Sequence, residues 1–486
     1  MGKRVSFIVQ SVLLAFCGKI KQKIERKKAI FHLELRLFFD IIDMKRNDKK
    51  GENIMKKISA ILGAGLGVFL STCSVGCSGK KTDNGAFDYE IYGVGVEQTL
   101  PLSWTGLEED VSIDFSSSNE AVATVNASGE VVGKSIGSAT ITAKSKTEEF
   151  TCTVEVNDGQ YTEFDGEETF IKWEGRNFTY KNMMHCYNTA SGFEALFYGT
   201  SFTAEIAAGK REYPVTLCVM IDDKHTPENN NIVLDADENV YSYTLAENLE
   251  EGFHRIRVYK LTEAYESSVA FKSVSTDGYF WARPKDKKYK IEVYGDSITT
   301  GVDNLENVES GYLPQNGCMT YCWLAAEQVN ADINVFARSG IGMNWSWDMG
   351  IYMKSQYKRT YCAEHNFLRV KTNPTWNFKS YIPDAVIINV GTNDSACYNG
   401  FDESGYINEM VKLCQALNES YGTNTKLLFV NLGSGSPHVS AQRKIVEQIP
   451  NAEQIILSYS GNVHPTVTQH KAVANELAGK LKEILP

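Results

Sequence analysis

The last two hundred residues constrain the fold most, because short apolar runs alternate there with helical segments. Ile291 to Tyr294, Ile333 to Ala337, Ala385 to Val390 and Lys426 to Val430 are the runs. Between and after them, Tyr321 to Val329, Tyr406 to Leu417 and His470 to Ile484 read as helices. Alternating strand and helix means a parallel sheet covered on both faces by the helical crossovers. The pattern therefore predicts a three-layer α/β domain over 287–486. Ligands of such sheets sit at the carboxyl ends of the strands.

Upstream the period shortens to two. From 90 to 157, Val111 to Phe115, Ala121 to Val125 and Ala139 to Ala143 alternate between turns at Ser116 to Asn119, Ser128-Gly129 and Gly137, as strands do. The runs F-S-S-S-N-E-A-V-A-T-V, G-E-V-V-G-K-S-I-G-S-A-T-I-T-A and C-T-V-E-V resemble the group 2 bacterial immunoglobulin-like domain, with Phe115 where that family more often has Trp. Such a domain serves as a spacer or as a surface or glycan adhesin, and a spacer is the expectation here. Residues 158–286 are again strand-rich: Leu196 to Tyr198, Thr203 to Ile206, Val215 to Ile221 and His254 to Tyr259 predict a β-sandwich.

At 486 residues the chain is too long for one core. Residues 1–77 hold 15 Lys+Arg and 6 Asp+Glu, leaving a net charge of −20 on 78–486. So acidic a surface repels nucleic acid and anionic lipid headgroups. Met55 starts a signal-like segment over 55–77: Lys56 and Lys57, the apolar stretch Ile58 to Leu70, then small residues. Gly76-Cys77-Ser78 resembles a bacterial lipoprotein cleavage site with Cys77 as the lipidated residue; an ordinary secretion signal is the alternative. Residues 1–54 are expected to be an over-extended gene start, since Lys50-Gly51-Glu52 back-translates to a purine-rich ribosome-binding sequence just before Met55. Residues 78–89 read as a polar tether. The eight cysteines beyond Cys77 show no disulfide framework and no metal-ligand spacing, and are expected to be mostly buried thiols.

Four short blocks carry the chemistry. Gly295-Asp296-Ser297 follows the first apolar run, placing a serine at a strand end. Ala337-Arg338-Ser339-Gly340-Ile341-Gly342 ends the second, where glycine lets backbone approach a substrate closely. Gly391-Thr392-Asn393-Asp394 comes after the third and offers a side-chain amide. His464-Pro465 precedes the last helix. Each block alone is weak: G-D-S is a common turn, and a lone His is more often structural.

Serine, glycine, asparagine and histidine in this order resemble the SGNH (GDSL) hydrolases, over about Lys290 to Leu485. The resemblance implies a flavodoxin-like α/β domain, Ser297 as nucleophile and His464 as its base. It implies an oxyanion hole from the Ser297 N–H, the N–H of Gly342 (or Gly340) and the Asn393 amide. Gly461 stands where that family usually carries Asp, three residues before the His. Gly175-Arg176, Gly192-Phe193-Glu194-Ala195, Tyr198-Gly199-Thr200 and the A-R-S-G-I-G run resemble carbohydrate esterase family 2, in which a jelly roll precedes the catalytic domain. Members of that family include Ser–His dyads oriented by a backbone carbonyl, so a dyad is expected here. Arg176 either reaches the active site or, as expected, forms an interdomain salt bridge.

The sequence thus predicts a multidomain, exported, cell-surface arrangement of immunoglobulin-like sandwich, jelly roll and SGNH domain. The expected activity is O-deacetylation of a xylan- or mannan-type polysaccharide through an acetyl-Ser297 intermediate, with no cofactor and no metal. Trp345 and Trp376 are the expected sugar-binding aromatics, with Trp347 beside them. The partners expected are acetylated polysaccharide, and the cell envelope through the lipid anchor or the immunoglobulin-like domain. The alternatives are another SGNH acyl esterase, acting on envelope glycan or simple esters, and an inactive surface carbohydrate-binding protein.

Overall fold

In the computed structural model the short alternating segments pair as strands. The structure describes residues 85–486, apart from 108–110, 167, 225, 228–229, 307, 309, 348–349 and 364. The expected over-extended start, the expected signal-like segment and Cys77 lie outside the described residues. The described residues pack as one unit.

The first layer pair covers Ala86 to Val156. Gly137–Lys144 pairs with Glu149–Val156, and alternate residues Ala139, Ile141 and Ala143 point into the core. Phe115 packs on Trp104 with ring centroids 5.3 Å apart. The chain joins this unit earlier than the tether over 78–89 predicts, because Ala86–Phe87 already pairs with Trp104–Thr105. The immunoglobulin-like unit is also welded to the second sandwich. Tyr92 pairs with Ala282 of the strand Tyr279–Ala282, so one sheet runs through both sandwiches. Asn157 completes the seam, donating from Nδ2 to the Phe280 carbonyl (2.8 Å) and accepting the Phe280 N–H at Oδ1 (3.0 Å).

The second sandwich lies between Gln160 and Ala282. One sheet holds Phe202–Lys210, Asp237–Ala246 and Ser267–Thr276; the other holds Gly192–Gly199, Val215–Ile221 and Gly252–Lys260. Phe193, Phe197, Phe202, Phe271 and Phe280 fill the space between them. Aromatic rings of this size dominate such a core by buried area.

The apolar runs of the last domain form a five-stranded parallel sheet: β1 (Tyr289–Gly295), β2 (Ala331–Ala337), β3 (Ala385–Asn389), β4 (Lys426–Leu432) and β5 (Ala452–Leu457), in the order β2-β1-β3-β4-β5. The chain enters at β1, turns to β2, then crosses back to β3, so the order reverses between β1 and β3. Helix α1 (Ser297–Thr300) is a single turn after β1. Helices α2 (Tyr321–Gln328) and α5 (Val467–Ile484) pack on one face, while α3 (Glu403–Tyr421) and α4 (Pro437–Val446) cover the other. Every residue of the edge strand β2 is buried, in part because the second sandwich covers it; a covered edge cannot pair with another chain. None of the eight described cysteines forms a disulfide, and seven of them are buried, as expected.

Candidate active site

The reversal of strand order between β1 and β3 opens a crevice at their carboxyl ends, and the four blocks converge on it. Block one turns sharply out of β1. A Cβ at Gly295 would collide with Thr299, so only glycine fits there. Asp296 caps α1, its Oδ1 accepting the Ile298 N–H at 3.1 Å. Asp296 is fully buried, and burial pushes its carboxyl up to about 7. The turn presents Ser297, 8% exposed, to the crevice.

His464 arrives from the segment before α5, whose Thr466–Gln469 capping box fixes the helix start. Its Nε2 lies 2.9 Å from Ser297 Oγ, so residues 167 apart in sequence meet at hydrogen-bond distance. On the far side of the ring, Nδ1 lies 3.2 Å from Asp303 Oδ2. This differs from the expected dyad: a carboxylate, not a backbone carbonyl, faces Nδ1. Gly461 is exposed, and a Cβ there would stand 2.6 Å from the Tyr459 hydroxyl, which would have to shift to admit a side chain.

The second and third blocks are tied together. Asn393 donates from Nδ2 to the Ile341 carbonyl at 2.8 Å, leaving the second hydrogen of that amide for another acceptor. Asp394, buried, accepts the N–H groups of Met343 (2.8 Å), Asn344 (2.7 Å) and Trp345 (3.0 Å). Burial raises its pKa, and those three bonds pull it back only in part. Between the two candidate glycines the structure separates the roles. Gly342 is buried, its N–H donates to Ser346 Oγ at 3.0 Å, and a Cβ there would press on Asp394. Gly340 is half-exposed with φ of +76°. Gly342, the favoured oxyanion donor, thus has its N–H engaged within its own loop. Thr300 Oγ1, on α1, lies 3.4 Å from Ser339 Oγ and joins this loop to the nucleophile's helix.

Trp345, half-buried, stacks edge-on with Trp347 (5.0 Å) and Tyr398 (6.2 Å), forming an exposed aromatic group beside the second and third blocks. A cavity of about 380 Å³ lies on the other side, among Ile298, Thr392, Asn431, His438 and Val463. Trp376 is not part of this site. It lies 5.2 Å from the Arg176 guanidinium and lines a separate cavity with Lys172, Glu174 and Asp332. Its position before β3 suggested the crevice, but that is the amino end of the strand. Arg176 is an interdomain residue, as expected: fully buried, it bridges to Glu292 at 2.9 Å and donates to the carbonyls of Tyr357 and Arg359.

Sequence reasoning missed Asp303, Asp394 and Glu263. Glu263, from the second sandwich, accepts the Ser339 N–H at 2.7 Å and the Ser339 hydroxyl. Only Asp394 had a signal, its place in the third block. Among the described residues no group of His, Cys, Asp or Glu has metal-site geometry.

A serine hydroxyl bonded to an imidazole at the switch point of a doubly wound sheet is the arrangement of a serine hydrolase. Comparison with known proteins narrows this. Residues 173–284 match the carbohydrate esterase 2 N-terminal family, and 84–156 match the bacterial Ig-like domain (group 2). The chain is 25% identical over 344 residues to a cellulase/esterase of Acetivibrio thermocellus, covering 66% of this chain and 40% of that protein. It thus spans well under two thirds of that relative's length. It is 25% identical over 301 residues to an acetylxylan esterase / glucomannan deacetylase of Cellvibrio japonicus, covering 59% of this chain and 81% of that one. A family two carbohydrate esterase from Clostridium thermocellum, solved with cellohexaose, superposes with a TM-score of 0.56 at 23% identity, over 64% of this chain and 98% of that one. An acetyl xylan esterase from the rumen bacterium Butyrivibrio proteoclasticus gives 0.59 at 19%, over 67% and 97%. The chain resembles the family 2 carbohydrate esterases and shares their fold, with a group 2 bacterial immunoglobulin-like domain ahead of it.

Proposed function

We propose that this protein is a serine esterase of SGNH type that removes O-acetyl groups from polysaccharide of the xylan or mannan kind. The observation that carries the reading is the 2.9 Å contact between Ser297 Oγ and His464 Nε2. The resemblance to acetylxylan esterases and glucomannan deacetylases supports the choice of ester. His464 Nε2 takes the Ser297 proton as Oγ bonds to the acetyl carbonyl carbon. The oxyanion receives hydrogen bonds from the N–H groups of Ser297 and Gly340 and from the Asn393 amide. Collapse breaks the bond to the sugar oxygen, which leaves with the proton from His464. Water, deprotonated by His464, then releases acetate from acetyl-Ser297.

The aromatic group of Trp345, Trp347 and Tyr398 offers ring faces to the C–H surface of a pyranose. Trp376 has no part in substrate binding in this reading. The protein acts outside the cell, held at the surface through Cys77. The test is acetate release from acetylated xylan and acetylated glucomannan, with Ser297→Ala and His464→Ala alongside. Release is expected from the parent chain and lost in both variants; full activity in Ser297→Ala would sink the assignment.

A further inference from the structure

We infer that Asp303 is the carboxylate that orients His464, supplied from the loop after the nucleophile rather than from the position three residues before the histidine. This rests on the reading of Ser297 and His464 as nucleophile and base. The imidazole has two nitrogens, and both are engaged: Nε2 by Ser297 at 2.9 Å and Nδ1 by Asp303 at 3.2 Å. An ionised carboxylate only accepts, so it holds the proton on Nδ1 and turns the Nε2 lone pair toward the serine hydroxyl. When His464 takes the Ser297 proton, the same carboxylate faces the imidazolium.

The loop carrying Asp303 is fixed on both sides. On one side, the N–H groups of Gly301 and Val302 both donate to the Ser297 carbonyl at 3.1 Å. On the other, Asn304 is fully buried, exchanging two 2.9 Å hydrogen bonds with the backbone of Asn316. The Asn304 carbonyl also accepts the Val467 N–H at 3.0 Å, at the start of α5. Asp303 is therefore clamped between the serine's turn and the helix that comes after the histidine. Asp303 itself sits in the left-handed region, φ +54°, which Asp tolerates better than most side chains. Non-glycine residues held there by their surroundings concentrate at functional sites. Its side chain is 61% exposed. Solvent screening makes its effect smaller than that of a buried triad carboxylate.

The experiment compares Asp303→Ala, Asp303→Asn and Ser297→Ala in the full chain, by kcat and KM on 4-nitrophenyl acetate with thermal unfolding in parallel. Both Asp303 variants are expected to lose kcat by about 10- to 10³-fold with KM within twofold, the ceiling for a triad carboxylate being about 10⁴. Asp303→Asn should leave the unfolding temperature unchanged, and Asp303→Ala should lower it slightly, since alanine fits the left-handed region less well. Asp303→Asn is expected to be at least as impaired as Asp303→Ala, because its amide can donate to Nδ1 and trap the proton on Nε2. A merely structural residue gives the opposite order, with the near-isosteric Asn the milder change, and that order overturns the inference. Wild-type kcat in both Asp303 variants, with Ser297→Ala inactive, also overturns it while leaving the esterase reading intact. An active Ser297→Ala removes the reading and the inference together.

Discussion

Replacing Glu263 with alanine tests whether the second sandwich sets the geometry of the oxyanion loop. Glu263 is 2% exposed and accepts both the N–H and the hydroxyl of Ser339, the residue before Gly340. Hydrogen bonds to a charged acceptor contribute about 1.5–3 kcal/mol each. The rest of the loop has independent anchors: Asp394 holds 343–345, and Ser346 holds the Gly342 N–H. The damage should therefore be confined to residues 338–340. If Gly340 is an oxyanion donor, losing its placement removes up to about 3 kcal/mol of transition-state stabilisation, or roughly 10²-fold in kcat. The assay is kcat and KM on 4-nitrophenyl acetate for Glu263→Ala and Glu263→Gln. The glutamine should be much the milder, since its amide oxygen still accepts the Ser339 N–H and its NH₂ can donate to the hydroxyl. Wild-type kcat in Glu263→Ala, with only the unfolding temperature lowered, would refute the reasoning.

Three further outcomes arise from buried charge. Arg176→Met leaves Glu292, wholly buried, without its partner; a loss of about 3–5 kcal/mol is expected in urea unfolding, partly recovered in the double variant with Glu292→Gln. Asp296 has its pKa raised from 3.8 to about 7 by burial, so the unfolded chain ionises first and stability falls as pH rises from about 3.8 to 7. Asp296→Asn keeps the helix cap, and should gain up to ~4 kcal/mol in urea unfolding at pH 8 and nothing near pH 3.5. Burial pushes His470 down to about 4 while its Nδ1 accepts the Tyr321 N–H at 3.1 Å. Its contribution is full above pH 6.5 and is lost as pH falls from there to 4, about 3 kcal/mol in all. The urea midpoint of His470→Asn should fall less steeply across that window than the parent's.

Where the sequence was legible, burial was simple. Val215 to Ile221, apolar apart from Thr216, is observed with those limits, and the four apolar-rich runs of the last domain all became central or covered strands. The fifth strand, Ala452–Leu457, escaped because only Ile455 and Leu457 are buried in it. An outer strand with polar residues facing water has no continuous apolar signal. At the site, Ser297 and His464 were legible because each lies in a block with fixed order. Asp303 was not, since a carboxylate six residues past the serine carries no spacing rule and reaches His464 only through the turn at Gly301. Trp376 shows the reverse error. Its place in sequence before a strand suggested the crevice, whereas a parallel strand separates its amino end from the ligand end by its whole length.

The buried ions also bear on whether the last domain can stand alone. Glu292 lies in the middle of β1, fully buried, where an unpaired charge is strongly unfavourable. Its cationic partner, Arg176, comes from the second sandwich. Asp332, on the edge strand β2, is matched by Lys172 at 2.6 Å, and Glu327 on α2 by Arg257 at 2.9 Å, both from that sandwich. Cutting the chain near residue 287 would leave three acids without these cations, uncover the edge of β2, and release Ser339 from Glu263. The upstream sandwich thus supplies charge balance to the sheet and an anchor for Ser339. By charge balance the two are one folding unit, although the sequence divides them cleanly by periodicity.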